Sequence, residues 1–266
     1  MKRILFAVAV IIFLSGFAGI GNELAVLDMA LEKIRNSPAV ELHTTGTSTG
    51  TAAGPLQVAS HAIINFNKEI YKLNIVKSNS TGLLGKQIND TATRAKHVYY
   101  RQGDENIRIQ ERTHRNAVDE NLAPDFANTE VTIMSRQEFE DKFQRDIFEF
   151  FYYDVSRKSV AKVTEKLSFN KKERTWSFCL LMKPEVAARL SKLEAMATGG
   201  LAQVDYTRLE LSFVLDENMR LLTIKSDGVY VAKLSPPANV FGDQKTKIVS
   251  TTTIKYYDKA QPIKSH

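Results

Sequence analysis

The first regular pattern of hydrophobic positions begins near residue 24 and has the period of an α-helix. Four large apolar side chains recur there at intervals of three or four residues: Leu24, Leu27, Leu31 and Ile34. Positions with this spacing share one face of a helix. Asn22 is a suitable residue to cap the start, and Pro38 prevents the helix from continuing. The pattern therefore predicts a helix that buries one face and turns Glu32 and Lys33 towards solvent.

After Pro38 the hydrophobic positions change to a period of two, which is typical of β-strands. Pairs of alternating runs are separated by short polar breaks, and this arrangement predicts antiparallel hairpins. The Asp-Gly pair at residues 227–228 is the strongest of the turn sequences. Residues 247–258 form a last strand that is rich in β-branched and aromatic residues. The predicted turns lie at Asn67-Lys68, Gly103–Asn106, Lys171-Lys172, Asp216–Asn218 and Asp227-Gly228.

Two further amphipathic helices are predicted between the strands. The first covers residues 135–151 and opens with Ser135 and Glu138, which have the spacing of a capping box. Its apolar face has four members: Phe139, Phe143, Ile147 and Phe150. The second has Pro184 in its first turn and ends at Gly199-Gly200. Its apolar stripe is formed by Val186, Leu190, Leu193 and Ala197.

About ten strands joined by short turns predict one large antiparallel sheet. A twisted open sheet of this size curls or splits. We therefore expect an α+β fold: a large curved antiparallel sheet, an unclosed half-barrel, with about three amphipathic helices on its concave face. Residues 19–266 would form this single domain. The polar residues 111–134 have no regular period and form either a functional lid or a surface loop.

The amino-terminal residues have the layout of a secretory signal. Lys2 and Arg3 precede an uninterrupted apolar run of 11 residues, Ile4–Leu14. Small residues then permit cleavage after Ala18, which makes residues 1–18 a signal peptide. The alternative is an uncleaved signal anchor. Either outcome predicts an extracytoplasmic protein, periplasmic or secreted, or held at the membrane by that anchor.

The end of this apolar run looks like a bacterial lipobox without its cysteine. Leu14-Ser15-Gly16 is followed by Phe17, so that no thiol is present at that position to receive a lipid. Cys179 is the single cysteine of the chain, which excludes an internal disulfide. Its bulky apolar sequence neighbours predict a buried and unreactive thiol.

The order of these elements resembles the LolA/LolB/LppX-type superfamily of bacterial extracytoplasmic lipoproteins and lipoprotein carriers. The pattern is carried by three stretches: "LAVLDMALEKI", "WSFCLLMKPEVAARLSKL" and "VDYTRLELSFVLDENMRLLTIKSDG". It covers most of the chain after residue 18 and includes no diagnostic motif. The resemblance implies a half-barrel with helices in its mouth, where several members bind acyl chains or lipidated proteins. Phe17 departs from the lipid-anchored members.

Five apolar residues are the candidates for lining an interior cavity: Phe139, Phe143, Ile147, Trp176 and Phe178. They would meet if the sheet curls around the helix of residues 135–151. Such side chains either line an acyl pocket or form an ordinary core, and the sequence leaves both interpretations open.

No residue set predicts catalysis, a cofactor or a metal site. The five histidines are scattered along the sequence, without a close-spaced pair of the zinc-ligand type: His43, His61, His97, His114 and His266. The sequence has no Gly-rich phosphate loop and no nucleophile elbow: Gly46–Gly50 has the G-x-S-x-G spacing, but no helix is predicted directly after it, as the elbow requires. The net charge is +6, but the charges are interspersed, and no basic stripe for nucleic acid results.

Two classes of function remain. The first is an exported, non-enzymatic protein with an apolar cavity that binds or carries a lipid, an acyl chain or a lipidated partner in the bacterial cell envelope. The second is a structural, interaction or sensor domain of the envelope, with a filled core and no small-molecule ligand. The candidate partners are a lipid, an acylated protein and a membrane surface.

Overall fold

The computed structural model describes twelve parts of the chain: residues 21–49, 56–66, 70–83, 86–101, 105–115, 128–143, 146–148, 153, 155–187, 202–234, 242 and 244–262. Helices α1 (Gly21–Arg35) and α2 (Arg136–Phe143) lie in these parts, and residues 184–187 are also helical. The strands are β1 (Ala39–Thr49), β2 (Leu56–Asn65), β3 (Ile70–Leu83), β4 (Lys86–Arg101), β5 (Asn106–Arg115), β6 (Asn128–Ser135), β7 (Val160–Asn170), β8 (Thr175–Met182), β9 (Ala202–Asp216), β10 (Leu221–Leu234) and β11 (Gln244–Tyr257).

All eleven described strands belong to one antiparallel sheet, in the order β6-β5-β4-β3-β2-β1-β11-β10-β9-β8-β7. The sheet is curved and open, as the sequence predicted. The strands form two meanders that meet where β1 pairs with β11. Both edge strands, β6 and β7, flank α2 in the sequence, so that the chain crosses from one edge to the other through residues 136–159.

Two of the five predicted turns are confirmed. β7 ends at Asn170 and pairs with β8 from Thr175, and β9 ends at Asp216 before β10 begins at Leu221. The strands of the hairpins β2–β3 and β4–β5 pair antiparallel as expected, while the predicted turn residues Asn67-Lys68 and Gly103-Asp104 lie outside the described residues. Residues 116–127 lie outside the described part, but the segment predicted as irregular is shorter than 111–134, because β5 continues to Arg115 and β6 starts at Asn128.

The predicted turn at Asp227-Gly228 is wrong. β10 runs without a break through both residues, and Gly228 is paired with Leu209 of β9 and with Ile248 of β11. Asp227 forms an ion pair with Lys247 at 3.1 Å across the strand pair. Pairing on both sides of a central strand outweighs the local turn preference of an Asp-Gly pair.

Helix α1 buries the predicted face against the sheet. Leu24, Leu27, Leu31 and Ile34 are all buried, and the helix ends at Arg35, before Pro38. Glu32 is exposed, as expected. The expectation that Lys33 faces solvent is wrong, because its ammonium group donates a hydrogen bond to the carbonyl oxygen of Asn218 in the β9–β10 turn. Partial burial at this contact lowers the pKa of Lys33.

Helix α2 starts with the predicted capping box. The backbone N–H of Ser135 donates to Glu138 Oε2 at 2.7 Å, and that of Glu138 donates to Ser135 Oγ at 3.1 Å. The predicted extent to residue 151 is wrong, because residues 146–148 form a turn. The Asp146 carboxylate accepts a hydrogen bond from the backbone N–H of Phe148 at 2.7 Å. This Asx-turn competes with continuation of the helix.

Only the start of the third predicted helix lies in the described part, where residues 184–187 are helical from Pro184. The signal segment 1–18, the residues Phe150, Leu190, Leu193 and Ala197, and the pair Gly199-Gly200 lie outside the described residues. No described helix is both long and apolar enough to cross a membrane.

Candidate functional site

The residues predicted to line a cavity are divided between α2, the turn after it, and β8. Phe139, Ile147 and Phe178 are buried in one hydrophobic cluster, and Trp176 is half-buried against it. The side chain of Phe143 lies outside the described residues. The cavity-lining role of these five residues therefore stays a prediction.

Aromatic contacts show how these elements are held together. The Phe178 ring stacks on Phe213 of β9, with centroids 4.9 Å apart. Phe148, which follows Ile147, makes an edge contact with Tyr100 of β4 at 5.7 Å. Trp176 contacts Phe169 near the β7–β8 turn, at 4.9 Å. The turn of residues 146–148 thus docks on β4, while β8 and β9 pack through their own rings.

The outer face of the sheet carries a polar cluster that the sequence pattern did not indicate. Val40 and Leu42 of β1 are buried in the core, and strand alternation turns Glu41 and His43 to the opposite face. His43 is directly opposite His61 in the β1–β2 register. The two imidazole rings stack with centroids 4.4 Å apart and an interplanar angle of 13°.

Glu41 is the centre of this group. Its Oε1 lies 2.7 Å from His61 Nε2 and 3.1 Å from His43 Nε2. Its Oε2 accepts a hydrogen bond from the Tyr257 hydroxyl, and Lys255 Nζ lies 3.7 Å away. We name these five residues, from the adjacent strands β2, β1 and β11, the Glu41 cluster.

The hydrogen bonds of the cluster stabilise the ionised form of the central carboxyl group. The Tyr257 hydroxyl makes the largest contribution, and the two imidazoles add to it against the opposing effect of burial. Together they lower the pKa of Glu41 to about 2. The side chain is only 14% exposed, so that these partners, rather than bulk water, solvate the charge.

Glu41→Gln is expected to reduce the acid dependence of stability. Because the pKa of Glu41 is lower in the folded chain than its usual 4.5, its contribution is present above pH 4.5 and is lost as the pH falls towards about 2. The wild type should exceed the variant by about 1–3 kcal/mol at neutral pH, a range reduced for partial exposure. Urea melts in EDTA from pH 2 to pH 7 measure this difference.

Glu32→Gln is the matched control, since Glu32 is an exposed glutamate on α1. Its stability should follow that of the wild type across the pH range. A Glu41→Gln variant whose difference from the wild type is the same at pH 2 and pH 7 would contradict the argument.

The Glu41 cluster also contains a set of metal-ligand atoms. One donor atom from each of Glu41, His43 and His61 can be chosen so that all three lie within 4.8 Å of one another. The sequence analysis missed this set because 18 positions separate the histidines. The pairing of β1 with β2 places the two histidines next to each other in space.

Cys179 is buried, as the sequence predicted. Its neighbours in space are polar rather than apolar, because the side chain points to the outer face: Sγ lies 3.0 Å from Glu210 Oε1 and 3.3 Å from Ser212 Oγ. Burial raises the pKa of the thiol, and the Glu210 carboxylate raises it further. The thiol is therefore protonated and a poor nucleophile.

The solved structures with weak similarity to this chain include the two described below. No family model and no curated protein matches the sequence. A β-barrel-like protein of domain of unknown function DUF1849 from Brucella abortus matches with a TM-score of 0.32 and 8% identity, over 84% of this chain and 98% of that chain. A LolA superfamily protein from Nitrosomonas europaea matches with a TM-score of 0.24 and 8% identity, over 90% and 94%. Neither similarity assigns this chain to a family.

Proposed function

We propose that this protein is an exported, non-enzymatic binding or carrier protein of the bacterial cell envelope. Its ligand, an amphipathic lipid or an acylated partner, would lie between the sheet and the helices. The observation that carries this proposal is the division of the inner face of the central strands into a buried apolar end and a partly open end lined by hydroxyl groups.

The apolar end lies near the start of β1. Val40 and Leu42 point inward there, and they are buried together with Ile254 of β11 and Ile224 of β10. Helix α1 precedes β1 directly and belongs to the same hydrophobic cluster. Burial of such side chains stabilises the fold by about 25 cal/mol per Å² of apolar surface removed from water. The apolar end therefore contributes to the stability of the fold.

The hydroxyl-lined end follows along the same strands. Thr44 is the next inward position of β1, and its Oγ1 lies 2.7 Å from Thr252 Oγ1 of β11. Ser250 and Ser226 form a second pair across β11 and β10, also at 2.7 Å. We name these four residues the hydroxyl band.

The burial of the hydroxyl band differs from that of the apolar end. Thr44, Ser250 and Thr252 are only half-buried, although they face inward from strands at the centre of the sheet, whereas Ser226 of β10 is buried. Thr246, further along β11, is fully buried, and its hydroxyl has no hydrogen-bond partner among the described residues. A dry core excludes unpaired hydroxyls because their desolvation costs about 1–3 kcal/mol each. Water or the polar part of a ligand would satisfy the Thr246 hydroxyl.

The two ends together favour an amphipathic ligand. Val40 and Thr44 are four residues apart, which is about 13 Å along a strand. An acyl chain would lie against the apolar end, and a hydroxyl, ester or carboxyl group would meet the hydroxyl band.

The alternative is a structural or interaction domain of the envelope with a filled core. The stacked pair Phe178–Phe213 favours it, because both rings are fully buried by the chain itself. The two proposals differ in what occupies the interior beside the hydroxyl band, and ligand binding distinguishes them.

The test uses the full chain, expressed with export and purified without detergent. Native mass spectrometry followed by lipid extraction is expected to show a copurified amphipathic lipid. After delipidation, the protein should bind a dansyl-labelled fatty acid. Thr44→Phe places a ring in the inner space and should weaken this binding by about tenfold or more, a change of about 1.4 kcal/mol.

Thr45→Phe is the matched control, because Thr45 is the exposed neighbour on the opposite face of β1. Its affinity for the probe should stay within about twofold of the wild type. Absence of both copurified lipid and probe binding in the wild type would overturn the carrier proposal in favour of the filled domain. Equal binding by the Thr44→Phe variant and the wild type would place any ligand elsewhere.

A further inference from the structure

We propose that Glu41, His43 and His61 form a binding site for a divalent transition-metal ion, Zn²⁺ or Cu²⁺, on the outer face of the sheet. The site is independent of the interior and of the ligand proposed there. It rests on the convergence of three donor atoms, on their chemistry, and on the strands and partners that hold them.

The three donor atoms already converge on a small volume. Both imidazole Nε2 atoms lie beside the same carboxylate oxygen, at 2.7 Å for His61 and 3.1 Å for His43. In a tetrahedral zinc site with bonds of about 2.0–2.2 Å, ligand atoms are about 3.4 Å apart. The separations found, all within 4.8 Å, differ from this value by little more than 1 Å. Small rotations of the imidazoles, which are half-buried or exposed, are enough to admit an ion.

The donor set selects the class of metal. Two imidazole nitrogens and one carboxylate oxygen suit zinc and copper, whereas calcium and magnesium prefer oxygen ligands alone. Among divalent ions of the first transition row, copper binds most tightly to such sites. Three protein ligands leave at least one coordination position for water, since the exposed side of the cluster faces solvent.

The protein supplies the partners that orient the ligands. The Tyr257 hydroxyl holds Glu41 Oε2 and leaves Oε1 directed at the two histidines. The ladder bonds of β1 with β2 and with β11 fix all the backbone positions, because these strands lie at the centre of the sheet. Hydrogen bonds of this kind to a metal-binding carboxylate typically change the affinity 10–100-fold.

The charges around the three donor atoms are also suitable for a divalent cation. The site supplies one carboxylate, and imidazoles bind a metal ion in their neutral form, so that they add no charge. Lys255 is the described cation nearest to the carboxylate, at 3.7 Å from Oε2, on the side away from the histidines. A divalent ion at Oε1 would replace the protons that the imidazoles now direct at this oxygen.

The full chain, without an affinity tag and treated with EDTA before dialysis, is the protein to test. Isothermal titration should show one equivalent of Zn²⁺ or Cu²⁺ bound. The electron paramagnetic resonance spectrum of the Cu²⁺ form should show hyperfine coupling to two nitrogen atoms. This spectrum reports the ligands of the wild type directly and does not depend on any variant folding.

Variants then assign the site. The double variant His43→Gln/His61→Gln should lose about 100-fold or more in affinity, and Tyr257→Phe about tenfold. His97→Gln is the control, since His97 lies on β4, two strands away from His61. It should bind the metal as the wild type does. Thermal melts in EDTA verify that each variant is folded.

Two results would overturn the proposal. One is the absence of stoichiometric binding of either ion by the wild type. The other is binding by the folded double histidine variant that equals binding by the wild type. In both cases the Glu41 cluster would be an ion-pair network alone.

Discussion

Phe178→Ala is expected to lower the free energy of unfolding by about 3–5 kcal/mol. The Phe178 ring is 1% exposed and stacks on Phe213 at 4.9 Å. Removal of the ring deletes its transfer free energy and leaves a cavity that β8 and β9 cannot close, because pairing fixes both strands. Urea unfolding followed by circular dichroism gives the difference.

Phe169→Ala is the matched control in the same hairpin. The Phe169 ring is 40% exposed beside Trp176, so that its loss should cost about 1 kcal/mol or less. A loss below about 1.5 kcal/mol for Phe178→Ala, together with altered uptake of the dansyl fatty acid, would contradict the core role. Phe178 would then line an open space, as the sequence analysis allowed.

Leu27→Ala is expected to cost about 2–5 kcal/mol, the second large effect. Leu27 is 1% exposed on the buried face of α1. The helix has 15 residues and is marginal by itself, so that the sheet stabilises it through this face. The same urea melts measure the loss.

Met29→Ala provides the comparison on the same helix. Met29 is 39% exposed, and alanine is a better helix former, so that the free energy of unfolding should change by about 0.5 kcal/mol or less. Equal effects at Leu27 and Met29 would show that α1 does not dock through the face described.

The helix and strand patterns were predictable because they follow from burial along a single element. The face of α1 has a period of 3.6 residues, and the sequence identified Leu24, Leu27, Leu31 and Ile34 without knowledge of the partner. The sheet was predictable for the same reason, since its strands alternate between a buried and an exposed face.

The errors arose where contacts distant in sequence decide the local structure. Asp227 and Gly228 form a good turn sequence, yet pairing with β9 and β11 keeps them extended. Asp146 lies in a helical pattern, but it accepts from the backbone of Phe148 and forms an ion pair with Arg136 of α2. A helix pattern in the sequence includes neither contact.

Prediction of the Glu41 cluster from the sequence requires the register of the β1–β2 pair. Glu41 and His43 are two positions apart in a strand, and this spacing alone predicts that they share a face. The position of His61 opposite His43 depends on the residues at which the β1–β2 turn is centred. Alternation does not determine that centre, because a shift of two residues preserves every face.

The pairing of β1 with β11 has a consequence for biosynthesis. These strands stand at the centre of the sheet, yet partners such as Val40 and Tyr256 are more than 200 positions apart in the chain. A ribosome therefore releases β1 and its neighbour β2 long before β11 exists, and the edge of β1 that pairs with β11 stays unpaired during elongation. Such high contact order makes folding slow. The open edge of β1 is therefore exposed until synthesis is nearly complete, which is the condition in which strand edges aggregate or are bound by chaperones.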